Sequence, residues 1–474
     1  MISRAPVIWW IRRDLRLCDN PALTAAAESG APVLPVYILD EQDEALGAAP
    51  KFRLGLGLEH FGQELAKAGS RLILRRGKAL KVLQDLIEET GAGAVHWSRL
   101  YDPQATARDS EIKQQLKEQG VAVKSHGGRL LFEPWTVETK AGGMYKVYTP
   151  FWKAVRNRGV DSLLPAPGKI AAPDSWPASE DLADWRMGAA MRRGADVVAR
   201  YCRVGEAAAQ ARLDGFLEDS VDAYKARRDY PAEDATSGLS ENLAWGEISP
   251  HRMWHQGSAA MERGSQGAEH FLKEIVWREF AYQLMYYSPH ILTESWREEW
   301  QDFPWSKKIT PQVQAWQRGQ TGYGFVDAAM RELYVTGTMH NRARMIVASF
   351  LTKHLMTHWK IGMDWFADTL VDWDPASNAL GWQWVAGSGP DAAPFFRVFN
   401  PSGQLEKFDP EGAYTGRWIA EGQDTPPQTA LDFFDAAPLS WDLSAGMAPA
   451  EPVVSLQAGR DRALTAYREA REER

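Results

Sequence analysis

The chain has 474 residues, 45% hydrophobic and 24% charged, with a formal net charge of −8. That composition excludes disordered and fibrous classes, and at roughly 100–200 residues per domain the length holds about two to four domains. No apolar run reaches the roughly 18 residues of a membrane span, and the negative balance excludes a uniformly basic surface while permitting a local basic patch.

Strand-like runs at Pro6–Ile11, Pro32–Leu39, Arg71–Leu74, Ala94–Trp97 and Val121–Val123 alternate with helical stretches at Pro21–Ser29, Phe52–Ala68, Leu80–Glu89 and Pro103–Gln119. This alternation predicts an α/β domain with a Rossmann-like, mostly parallel sheet. Asn20-Pro21 and Asp102-Pro103 each place a side-chain acceptor at an N-cap and a proline at the first helical position. Gly30, Gly69, Gly91 and Gly120 sit where the helices should stop. The first strand runs into Arg12-Arg13-Asp14-Leu15-Arg16 rather than a glycine-rich turn, so a dinucleotide fingerprint is absent. Pro165, Pro167, Pro173 and Pro177 mark a crossing between domains. From Gly194 to Phe366 the pattern is helical, and roughly the last 65 residues are mixed and Pro-rich, ending in a charged helix at Arg460–Arg474. The expected organisation is an α/β domain over 1–130, a connector over 131–200 and an all-α domain over 201–474.

The chain has no phosphate loop, no His-Glu-x-x-His and no Gly-x-Ser-x-Gly elbow. The pairs His251/His255 and His354/His358 have helical spacing but no obvious third ligand, so no metal is expected. Cys18 and Cys202 cannot build a disulfide framework, which fits a reducing cytoplasm. With nucleophiles and metals poorly supported, a carried cofactor is the leading route to difficult chemistry. Of 21 tryptophans, ten fall between Trp277 and Trp384, more than packing alone explains.

Four constellations lie in the helical part. Thr236-Ser237-Gly238-Leu239-Ser240, with Tyr224 twelve residues earlier, suits an anion at a helix start; a plain N-cap by Ser240 or Asn242 explains the same residues. Glu274, Trp277 and Arg278 share a helix face, as a surface ion pair over a packed ring or as a site that stacks a planar ligand. Asn341, Arg344 and Met345 share another, with His340 and Arg342 beside them, in a stretch too polar to be entirely core. The run from Asp372 to Trp384 holds Asp374, Pro375, Asn378, Gly381 and Trp382 and reads as a loop whose buried polar groups a large heteroaromatic ligand would satisfy.

These residues resemble the DNA photolyase and cryptochrome family almost end to end. The likeness runs from Trp10-Ile11-Arg12-Arg13-Asp14-Leu15-Arg16 and Asp19-Asn20-Pro21 through Thr236-Ser237-x-Leu239-Ser240 and Trp277-Arg278-Glu279-Phe280. It continues through Thr321-Gly322-Tyr323, Val326-Asp327-Ala328-Ala329-Met330-Arg331 and Met339-His340-Asn341-Arg342 to Gly381-Trp382-Gln383-Trp384 and Phe399-Asn400-Pro401. The resemblance implies an antenna-type N-terminal domain and a helical domain holding FAD. By match, Tyr224, Thr236, Ser237, Gly238, Leu239 and Ser240 would hold its phosphates and adjoining parts. Arg278, Asn341, Arg344, Asp372, Asp374 and Asn378 would contact the rest, with Asn378 near flavin N5 and Arg344 paired to Asp372. Glu274, Trp277, Asn341, Arg342, Met345 and Trp384 would line the lesion cavity, Arg228 and Gln404 would touch DNA, and Trp382, Trp359 and Trp305 would carry an electron from the surface inward.

What the resemblance implies is light-driven splitting of cyclobutane pyrimidine dimers in ultraviolet-damaged DNA, by a monomer of the class I-type deoxyribodipyrimidine photolyases. Cytoplasmic, nucleoid-associated residence would follow if the source is bacterial. Blue-light signalling, repair of (6-4) photoproducts and thermal FAD oxidoreduction are the alternatives. Two cysteines exclude the iron–sulfur branch, and Asn341, Met345 and Trp384 resemble the cyclobutane branch, whereas (6-4) enzymes place histidines around the pocket and lack the Asn–Met pairing. Gly238 stands where many relatives carry arginine, and Tyr101–Asp109 lacks the glutamate of many folate-binding relatives. The second chromophore is therefore a methenyltetrahydrofolate, a deazaflavin or none.

Overall fold

A computed structural model describes residues 4–391 and 396–472. Five parallel strands, β1 (Val7–Ile11), β2 (Val33–Leu39), β3 (Ile73–Arg76), β4 (Ala94–Ser98) and β5 (Ala122–His126), form one sheet in the order β3-β2-β1-β4-β5. Every residue of β1 and β2 is buried, because helices cover both faces. Alternate side chains serve the two sides: Val7, Trp9 and Ile11 pack with Leu54, Leu58 and Phe61, whereas Ile8 and Trp10 pack with Leu83, Leu86 and Leu116. The helix starts follow their sequence signals. Asn20 accepts from the Leu23 amide at 3.1 Å and Asp102 from the Ala105 amide at 2.8 Å. Gly30, Gly69, Gly91 and Gly120 all take positive φ just past their helices.

The strand order reverses beside β1, and such a switch point opens a crevice at the carboxyl ends of the strands. A crevice of about 1180 Å³ lies there, between the sheet and the helical domain.

Residues 131–200 are shared between the two cores. Leu131, Phe132, Tyr148, Phe151 and Trp152 pack into the helical domain, whereas Ile170, Trp185 and Met187 pack against the sheet. Backbone bonds from Val33 to Ala171 (2.8 Å) and from Glu180 to Leu74 (2.9 Å) lay this strap along the sheet edge.

The helical domain is built on Ala268–Tyr287, Gly324–Thr336, Asn341–Ser349, Trp359–Thr369 and Pro375–Ala386. Two sequence expectations are corrected. The Asp372–Trp384 run is not a loop: Pro375–Ala386 is a helix, because Asp374 caps it through the Ser377 amide (2.9 Å) and Pro375 takes its first position. Burial of Ala376, Ala379, Leu380 and Trp382 outweighs the cost of an internal glycine. Conversely, the helical pattern breaks after Tyr287, where only the short 3₁₀ turns Pro289–Leu292 and Glu298–Trp300 occur before Pro311. The terminal helix spans Leu456–Glu472, so residues 473–474 of the expected Arg460–Arg474 helix lie outside the described residues. No helix among the described residues is long and apolar enough to cross a membrane.

Candidate cofactor and nucleic-acid site

Arg344 and Asp372 form an ion pair at 2.7 Å, and the Arg344 Nε also donates to the Met339 carbonyl at 2.8 Å. Asp372 is buried, and its second oxygen, Oδ1, has no partner. Asp374 is engaged by protein throughout. Its oxygens accept from the Ser377 amide, the Tyr282 hydroxyl and the Arg129 guanidinium (3.5 Å). Burial works against its charge, yet Arg278 and Arg129 together hold the Asp374 carboxyl below the usual carboxylate range. Asn378 donates to the Met363 carbonyl at 3.0 Å, one turn beyond the Asp374 cap. Arg129 and Tyr282 carry no local sequence signal and escape a reading of the chain.

The loop at Thr236–Leu239 is clasped from behind. Arg212 donates to the carbonyls of Thr236 and Ser237, both at 2.7 Å, and to Asp234. Gly238 takes φ +59, and a Cβ there would come within 3.2 Å of Arg212. The hydroxyls of Thr236, Ser237 and Ser240 and the amides of 236–240 have no partner among the described residues. With their carbonyls held by a cation and their donors free, these residues suit a pyrophosphate. Arg278 donates to the Arg129 carbonyl at 2.8 Å and keeps its buried Nη2 unpartnered. Gly381, in mid-helix, has open space where a Cβ would stand. Orphaned buried polar atoms normally find a partner, so Asp372 Oδ1, Arg278 Nη2 and the free donors fit a large polar heteroaromatic nucleotide.

The rim is organised by two crossed ion pairs. Arg228 pairs with Glu274 and the adjacent Asp229 with Arg342 (2.5 Å), tying the helix Ala268–Tyr287 and the helix Asn341–Ser349 to one segment. Trp277 is stacked on Tyr148 at 3.7 Å and 5°. Asn341 is exposed, Met345 and Trp384 are half-buried against the core, and Gln404 lies on the helix Pro401–Phe408 with its Oε1 unpartnered. Arg342 and Lys407 both lie over the Phe408 ring, at 4.7 and 4.9 Å. The sequence pointed to neither Asp229 nor Tyr148, although Asp229 adjoins Arg228.

The family model described as the DNA photolyase domain matches residues 7–169, and that described as the FAD binding domain of DNA photolyase matches residues 271–469. A deoxyribodipyrimidine photo-lyase of Agrobacterium fabrum is 45% identical over 98% of both chains. The chain belongs to the photolyase/cryptochrome family. Within that family, cryptochrome-2 of Arabidopsis thaliana is 34% identical over 98% of this chain and 79% of its own length. A crystal structure described as a bacterial class III photolyase from Agrobacterium tumefaciens superimposes with a TM-score of 0.91 at 44% identity, covering 100% of this chain and 99% of that one. That likeness is to a class III enzyme and does not support the class I expectation. The photolyase fold here therefore includes an FAD-binding domain over residues 271–469.

The three indoles of the expected electron path are all buried in this photolyase-family chain, at 2% exposure for Trp382, 0% for Trp359 and 6% for Trp305. Trp305, expected at the surface, is enclosed because Trp300 stacks on it at 5.5 Å and Thr352 accepts its indole N–H. His358 lies between Trp305 and Trp359, with ring centroids 5.6 and 5.3 Å away. Trp382 packs against Phe366 at 5.0 Å and edge-on to Trp316 at 6.2 Å, over Gly362, where a Cβ would clash with the indole. His255 meets the Asp161 carbonyl, and His358 caps a helix through its imidazole.

Behind the rim, Glu332 accepts from the Tyr414 hydroxyl (2.5 Å) and the His340 amide (3.4 Å). Desolvation pushes Glu332 from its usual 4.5 to about 7, and it lowers His340 to about 4. A folded-state value raised this way makes the native state hold a proton that the unfolded chain has released. Its stability contribution is therefore complete below about 4.5 and is lost as pH rises through about 7. Glu332→Gln should remove that component, so the gap between variant and wild-type thermal midpoints should shift in the variant's favour from about pH 5 to about pH 8. Midpoints that move in parallel would place the titration elsewhere.

Proposed function

We propose that this protein is a light-dependent DNA-repair enzyme that splits cyclobutane pyrimidine dimers into monomers, a carbon–carbon lyase acting on ultraviolet-damaged DNA. The observation that carries it is a half-buried indole, Trp277, on a helix that the Arg228–Glu274 pair ties to the segment also holding Asn341's helix through Asp229–Arg342, with a second half-buried indole, Trp384, on the helix Pro375–Ala386. Excited by blue light, bound FAD supplies one-electron chemistry. The chain's own residues do the rest. A damaged pair unstacks at lower cost than an intact one, so flipping it out favours the lesion. The indoles stack the extruded bases, Glu274 and Asn341 read their polar edges, and the cations meet the flanking phosphates. Asp372, Arg344, Arg278 and the Thr236–Ser240 donors would hold the cofactor; Asn378 would contact its flavin part by family match, while in this structure it also lines the crevice at the strand ends. Asn341 and Met345 at the rim favour the cyclobutane substrate over the (6-4) product. The crevice at the strand ends, lined by Arg13, Tyr101, Arg108 and Trp373, is the place for a second chromophore, folate or deazaflavin.

Purified protein with an irradiated oligonucleotide tests this. Loss of the dimer under blue light and not in darkness is expected. No loss in light would favour the cryptochrome reading, and turnover of a soluble redox substrate in darkness would favour a thermal oxidoreductase. Trp382→Phe should slow photoreduction of oxidised flavin by at least about tenfold while leaving repair by chemically reduced enzyme intact. Abolished repair in that reduced enzyme would give Trp382 a different role.

A further inference from the structure

Tyr148 opens the helix Tyr148–Val155, in the strap between the two cores, and three of its groups are committed. Its ring lies parallel to the Trp277 indole at 3.7 Å and edge-on to Phe280 at 6.0 Å. Its hydroxyl donates to the Lys273 carbonyl at 2.7 Å, one helical turn before Trp277. Its backbone amide donates to Asp391 at 3.2 Å, where Val147 supplies no side-chain cap. Asp391 takes φ +54 and lies four residues past Gly387, which ends the helix carrying Trp384.

A half-buried indole on a helix surface has several rotamers, and binding through it normally includes the loss of that freedom. Stacking on a ring whose hydroxyl is bonded to the same helix removes the freedom in advance. One indole face is then covered by the Tyr148 ring, with Phe280 edge-on to the indole at 5.8 Å. The amide bond to Asp391 references the segment after Trp384 to the same residue. We propose that Tyr148 is a positioning residue for base recognition, holding Trp277 in its stacking orientation and anchoring the segment that follows Trp384. The inference rests on the reading of Trp277 as the lesion platform.

Dark binding of the holoenzyme to one oligonucleotide, with and without a cyclobutane dimer, tests it. Tyr148→Leu should weaken binding of the damaged strand about three- to tenfold and leave the undamaged strand within about twofold. Tyr148→Phe, which keeps the ring, should restore both. The near-UV circular dichroism lost in Trp277→Ala should be lost in Tyr148→Leu and kept in Tyr148→Phe. Asp391→Ala, which spares the core, should weaken damaged binding alone, and Asp391→Asn should recover it. Equal loss on both strands, no loss, or tighter binding in Tyr148→Leu overturns the proposal. If Trp277→Ala leaves discrimination unchanged, the platform reading fails; if it abolishes discrimination and Tyr148→Leu does not, only the positioning role falls.

Discussion

Arg53→Met is expected to lower folding stability by about 3–5 kcal/mol, the cost of removing one partner from a buried ion pair. Arg53 is fully buried in the helix Ala48–Lys67 of the sheet domain. It donates to Glu241 at 2.9 Å and to both oxygens of Glu247 at 3.0 and 2.6 Å, across the junction with the helical domain. Methionine matches the volume but leaves two carboxylates, 7% and 1% exposed, without their cation. Burial raises the Glu241 carboxyl, and Arg53 opposes the shift, so the variant should take up a proton there. Denaturant unfolding measures the loss, and adding Glu241→Gln with Glu247→Gln should return part of it. A loss below about 1 kcal/mol would mean that water reaches the site. Because Glu241 follows Ser240 directly, flavin retention should fall with stability in the same variant.

Trp277→Ala is expected to weaken binding of dimer-containing DNA by about 1–3 kcal/mol, roughly five- to 150-fold. Binding of the undamaged strand should change little. On the proposed reading that component would come from phosphate contacts by basic residues such as Arg228, Arg342 and Lys407, and it should retain its dependence on salt. Equal weakening of both strands would show that the indole supports the rim rather than the lesion. The measurement belongs in darkness, where repair does not consume the ligand.

Neighbours along the chain account for what could be read before any fold was known. The strands of the first domain, the Asn20 and Asp102 caps and the glycine stops are local signals, settled by side chains one to four residues apart. Shared helix faces likewise placed Glu274 with Trp277, and Asn341 with Arg344 and Met345. The same local rules misjudged Pro375–Ala386, where Pro, Asn and Gly suggested a loop. Propensity is a weak prior, and burial of Ala379, Leu380 and Trp382 overrides it.

The site's supports come from far along the chain. Arg53 and Glu247 are 194 residues apart and Arg129 and Asp374 are 245 apart, so no local pattern links them. The enclosure of Trp305 by Trp300, the crossing of Arg228–Glu274 with Arg342–Asp229, and the stacking of Tyr148 on Trp277 are of the same kind. Residue types and short spacings thus announced a cradle and a rim. Which carboxylate keeps an unpartnered oxygen and which is spent on the protein, as with Asp372 and Asp374, was settled by packing, because a buried charge is defined by whatever the fold brings against it.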